Sequence, residues 1–121
     1  MHNFKELDIW KRSRVFCSLI YSVTNNYPAN EKFGIINQMR RCAVSIPSNI
    51  AEGASRESNK DFCRFLEIAI GSSYELETQL LISNDLGFLD NDKLKDLHDE
   101  LNKIIKMTSK FRSVLKNAVK E

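Results

Sequence analysis

Apolar residues recur along this chain at steps of three and four, the spacing that lines one side of a helix. Four segments show it. The first spans about residues 8–26, with Ile9, Phe16, Ile20 and Val23 as its seam and Val15 and Leu19 widening it. Asp8 suits its start, and Tyr27-Pro28 closes it, because the residue before proline avoids helical geometry. The second spans about 32–53, with Ile36, Met39, Ala43, Ile46 and Ile50 inward. Pro47 lies inside it, removes a backbone donor and predicts a kink. Gly53 is read as its end. The third spans about 59–85, with Phe62, Leu66, Ala69, Ser73, Leu76 and Leu80 inward. Ser58 is its N-cap, and Gly87 follows its end. The fourth spans about 92–118 and carries the longest seam: Leu94, Leu97, Leu101, Ile104, Thr108, Phe111, Leu115 and Ala118.

No segment alternates with period two, so no strand is expected. The fold class is therefore all-α, an up-down-up-down antiparallel four-helix bundle in one domain, with helix 2 kinked near Pro47. The loops are too short for long crossovers. Trp10, Phe4 and Leu7 are expected to pack the N-terminal segment onto one bundle end.

Two polar features stand out from the seams. Opposite the apolar side of helix 2 runs a row of hydrogen-bonding groups: Gln38, Arg41, Ser45, Asn49 and Glu52. In mid-helix 3, Gly71-Ser72-Ser73 costs about 1 kcal/mol of helix propensity at the glycine. Its expected return is close approach by a neighbouring helix. Joining helices 2 and 3 near residues 54–58 would set Arg40 and Arg41 level with Gly71 and Ser72, one turn from Glu75. Gln38, Arg41, Ser45, Asn49, Glu52, Gly71, Ser72 and Glu75 thus form the candidate interface between copies.

Composition adds little until charge is placed on the bundle. Of the 121 residues, 42% are hydrophobic and 28% charged, which suits neither a disordered chain nor a membrane protein. No apolar run approaches the roughly 18 residues of a membrane span. The N-terminus lacks a signal-peptide pattern, so the expected location is the cytoplasm. Cys17, Cys42 and Cys63 are scattered along helical patterns, as expected of reduced, buried thiols. Residues 1–100 hold 12 basic and 15 acidic side chains, while residues 101–121 hold 6 and 1.

Alternating helices collect the starts of helices 1 and 3 and the ends of helices 2 and 4 at one end. That end counts 11 basic and six acidic residues, and a phosphate backbone would be drawn to it. Lys110, Arg112, Lys116 and Lys120 are its strongest candidates for nucleic-acid contact. Lys11, Arg12, Arg56, Lys60 and Arg64 are weaker, because Asp8, Glu57 and Asp61 are near. The plain alternative is a solvated surface whose charges complement the helix dipoles. No recognition-helix, RNP or zinc-finger motif supports sequence-specific reading.

Catalytic chemistry is not indicated. His98 lacks the Glu-x-x-His pattern of a di-iron bundle, and Asp90-x-Asp92 lacks the rest of a calcium loop. No phosphate-binding loop or nucleophile elbow occurs. No enzyme, metal or cofactor is expected.

Phe4-x-x-Leu7-x-x-Trp10, Tyr27-Pro28-x-x-Glu31-x-Phe33-Gly34, Ser45-Ile46-Pro47-Ser48-Asn49-Ile50-Ala51-Glu52-Gly53 and Ile68-Ala69-Ile70-Gly71-Ser72-Ser73-Tyr74-Glu75-Leu76-Glu77 together resemble the four-helix proteins encoded in intervening sequences of bacterial 23S ribosomal RNA genes. The resemblance covers about residues 4 to 90. It implies a ring-shaped homopentamer. It also implies kinship to accessory proteins of diversity-generating retroelements, which bind nucleic acid and a reverse transcriptase. The expected function is a non-enzymatic, self-assembling bundle with nonspecific RNA binding, partnered by itself, by RNA and by an unidentified protein. The alternative is a protein-interaction scaffold or adaptor that binds no nucleic acid.

Overall fold

A computed structural model describes residues 2–120, with side chains through Ala118. Four helices follow in order: α1 (Asp8–Thr24), α2 (Ile35–Ala54), α3 (Asn59–Asp85) and α4 (Asn91–Lys120). Short 3₁₀ turns at Phe4–Glu6 and Ala29–Glu31 precede α1 and α2. Among the described residues there is no strand. Each helix packs on the next, as an up-down-up-down bundle requires. The seam that closes the bundle, α1 on α4, is the thinnest.

The caps explain the boundaries. Ser58 Oγ accepts the Asp61 amide at 3.1 Å and starts α3. Asp90 Oδ1 accepts the Lys93 amide at 2.8 Å and starts α4. At the other end of α3, Phe88 N–H donates to Ser83 O and Gly87 N–H to Asn84 O. This is a Schellman pair, with Gly87 at φ +79° supplying the left-handed step. Two boundaries differ from expectation. α1 stops at Thr24, two residues early, because the chain must turn before Pro28. α2 starts at Ile35 rather than Lys32, because Gly34 (φ −105°, ψ −120°) is not helical. Glu31 reaches forward instead, and its Oε2 accepts the Ile35 amide.

α2 stays helical through Pro47. Gly53 is not its stop: Ala54 continues the helix, and Gly53 is buried. A Cβ there would lie 2.7 Å from Phe65 Cβ and 2.8 Å from Phe62 Cδ1. The close approach expected at Gly71 therefore occurs at Gly53. Gly71 is exposed, with nothing within 4 Å of an added Cβ.

The expected seams bury Phe16, Ile20, Met39, Ile46, Ile50, Phe62, Leu66, Leu76, Leu80, Leu101 and Ile104 almost completely. Val15 and Leu19 are exceptions, 63% and 43% exposed. They lie on the outer flank of α1, away from its buried seam. Phe4, Leu7 and Trp10 pack against the core edge as expected, with Phe4 and Trp10 edge-on at 5.0 Å. His2 folds over the same end, donating its amide to Ala54 O and setting its ring against Phe62 and Phe111.

Buried serine and threonine hydroxyls are satisfied within their own helices. Thr24, Ser73, Ser83 and Thr108 each donate to the carbonyl four residues back, at 2.7–2.9 Å. Ser13 donates to Trp10 O, three back. Such bonds cancel the cost of burying a hydroxyl without calling on a neighbouring helix.

Candidate nucleic-acid and assembly surfaces

The polar row of α2 meets α3, one helical turn away from the expected register. Ser45 Oγ and Ser72 Oγ lie 2.9 Å apart, and Asn49 Nδ2 donates to both Ser45 O and Ser45 Oγ. Cys42, rather than Arg41, faces Glu75: its thiol donates to Glu75 Oε2 at 2.9 Å. Gln79 Nε2 approaches the same sulfur at 3.6 Å, and Gln79 Oε1 has no partner among the described residues. Arg40 turns away from α3 altogether. Its guanidinium donates to Thr24 Oγ1, Tyr21 O and Asn25 Oδ1 and lies over the Tyr21 ring at 4.6 Å. There it serves as a cationic cap on the negative end of α1. Ser45, Asn49 and Ser72 are thus committed within the chain. Gln38, Gly71 and Glu75 remain exposed, and Glu52 pairs with Arg56.

Burial pushes the Cys42 thiol up from 9.0 to about 11, and the Glu75 carboxylate adds to the rise. A thiol that holds its proton longer folded than unfolded contributes fully below the unfolded value, and that contribution is lost as pH climbs toward 11. Raising the pH from about 8 to about 10 should therefore lower the melting temperature less in Cys42→Ala than in the native chain. Equal drops would show that the thiol carries none of the pH dependence.

The structure does gather the basic end, but it also brings in acids from outside it. Arg12 pairs with Glu100 at 3.2 Å. Arg112 Nε donates to Glu67 Oε1 at 3.0 Å. Arg56 pairs with Glu52 and Arg64 with Asp61. Lys110 lines a groove with Glu6 and Asp8. The Lys120 side chain lies outside the described residues. Lys110 and Arg112 are thus opposed more than their sequence neighbours suggested.

Other cations are left without an ion pair among the described residues: Lys5, Lys11, Arg14, Lys60 and Lys116. The N-terminal segment explains three of them. It turns Glu6 and Asp8 towards α4, where they line one groove. Phe4, Lys5, Trp10, Lys11 and Arg14 line another, which contains no acid. Arg14 covers the Trp10 ring at 5.4 Å. Sequence reading missed this division, although Glu6 and Asp8 alternate with Lys5 and Leu7. Their helical phase was the available signal.

Three comparisons bear on kinship. The family model described as 23S rRNA-intervening sequence protein matches residues 5–110. A crystal structure from Bacteroides thetaiotaomicron, described as a protein with unknown function from the S23 ribosomal protein family, superposes with a TM-score of 0.78. The match covers 86% of this chain and 97% of that one at 22% identity, a likeness of fold. No curated protein matches the chain.

Proposed function

We propose that this chain, which belongs to the 23S rRNA-intervening sequence protein family, is a non-enzymatic bundle that self-associates and binds RNA without reading its sequence. The observation that carries the RNA reading is the set of cations without an ion pair among the described residues, Lys5, Lys11, Arg14, Lys60 and Lys116, gathered at one bundle end. Phosphates neutralise such groups through long-range attraction and counterion release. Self-association falls to the outer edge of α3, where Gly71 and Glu75 are exposed beside Ile68 and Ile82, 43% and 42% exposed. A homopentameric ring would repeat the basic end five times, and avidity would strengthen binding that is weak at each copy.

Light scattering at micromolar concentration should give a mass near five chains of 14.0 kDa. A monomeric mass removes the assembly. In gel shifts, several unrelated RNAs should be retained alike at about 50 mM salt and released by about 200 mM. The pairing of Arg12, Arg56, Arg64 and Arg112 with acids favours the scaffold reading instead, and absence of RNA retention at the lower salt would establish it.

A further inference from the structure

We infer that two shallow grooves along α1 and α2 together form a track for single-stranded RNA, with bases stacked at Trp10 and Tyr21 and the backbone held by Lys11, Arg14, Arg40 and Arg41. The inference rests on the RNA reading above and names the form of RNA and the surface that takes it.

Trp10 and Tyr21 are eleven residues apart on α1. Eleven residues make about three turns of 3.6, so both rings lie on one flank, separated by about 16 Å along the axis. Each marks a shallow groove. Trp10 lines the first with Phe4, Lys5, Lys11 and Arg14. Tyr21 lines the second with Arg40, Arg41 and the polar outer face of α2. Neither lining contains a carboxylate, although the chain holds 16 acidic residues. Both linings are therefore positive in a molecule that is nearly balanced overall.

Trp10 packs on the core edge yet keeps part of its ring in solvent, and Tyr21 stands on the surface. Tyr21 is 40% exposed, and Trp10 is partly exposed. Each already carries a guanidinium, Arg14 over Trp10 and Arg40 over Tyr21. Arg40 is fixed by three hydrogen bonds to the end of α1, so its cation is held in place before any ligand arrives. Arg41 makes no ion pair among the described residues. Asn49 spends its amide hydrogens on Ser45, which leaves its carbonyl oxygen to accept from a ribose hydroxyl.

Alternating aromatic and cationic groups are the chemistry by which proteins hold unpaired bases without reading them. A duplex hides its base faces and would use only the charges. At about 3.4 Å per stacked base, the distance from Trp10 to Tyr21 accommodates four or five nucleotides.

Trp10 is the single tryptophan, so its emission reports on the groove directly. A single-stranded oligouridylate of about ten nucleotides, at about 50 mM salt, should quench that emission saturably. A duplex of equal length should quench it less. Lys11→Gln with Arg41→Gln changes two exposed side chains and should leave the melting temperature intact. It should weaken oligouridylate binding about tenfold or more, because each change removes a charge that would neutralise a phosphate. Retention in a gel shift with unchanged Trp10 emission, or with native affinity in the double variant, would overturn the track while leaving RNA binding in place. No retention of any RNA would overturn both readings.

Discussion

Phe62→Ala is expected to cost about 3–5 kcal/mol, the range for removing a fully buried aromatic. Phe62 is 1% exposed and sits where three parts of the chain meet. Its ring packs edge-on against Phe111 of α4 at 5.5 Å and against His2 at 5.1 Å. It also lies beneath Gly53 of α2. Truncation would leave a cavity that touches α2, α4 and the N-terminal segment together. Neighbours held by three separate elements cannot easily collapse into it. A thermal melt followed by circular dichroism should fall by about 10–20 °C. A drop of only a few degrees would mean that the N-terminal segment closes over the gap.

The second large effect is the opposite fault at the same place. Gly53→Val puts a branched side chain where a single Cβ already meets Phe65 Cβ at 2.7 Å and Phe62 Cδ1 at 2.8 Å. Phe65 Cβ is tied to the α3 backbone and cannot swing aside. The helices must part, and overpacking of this kind costs about 1–3 kcal/mol or more. The gain in helix propensity over glycine, at most about 1 kcal/mol, does not offset it. Because Phe62 and Gly53 touch, the two changes should couple. Gly53→Ala should cost less in the Phe62→Ala background than in the native chain, since one of its two obstacles is gone. Equal costs in chemical denaturation would show that Phe65 alone sets the spacing.

Much of the bundle could be read directly because helix periodicity is local. The Leu97–Leu101–Ile104–Thr108 run states which side of α4 turns inward, and Ser58 states where α3 begins. What could not be read depends on which residue lies opposite which. Gly71 and Gly53 look alike in sequence, yet only Gly53 has Phe62 and Phe65 across from it. The α2–α3 register turned on the path of four linker residues, so Cys42 took the place expected of Arg41 against Glu75. Charges summed along stretches of sequence do not include Glu67, which reaches Arg112, or Glu100, which reaches Arg12. The groove at Trp10 was hidden for the same reason. Charges adjacent in the chain are turned by the 3₁₀ segment to opposite sides.

The buried hydroxyls of Ser73, Ser83, Thr24 and Thr108 return to their own helices. Thr24 also accepts from Arg40 of α2, and Ser83 also reaches Met39. Ser73 and Thr108 make no other hydrogen bond among the described residues, so a lineage can replace either by alanine or valine without stranding a partner on another helix. Descendants of such a chain are free to drift at those two positions one at a time, with no matched pair of changes needed. Cores that keep volume and pattern tolerate wide exchange of side chains. Ancestry in this bundle would then fade first at such self-contained positions and persist longest where a helix crosses with no room to spare, as at Gly53.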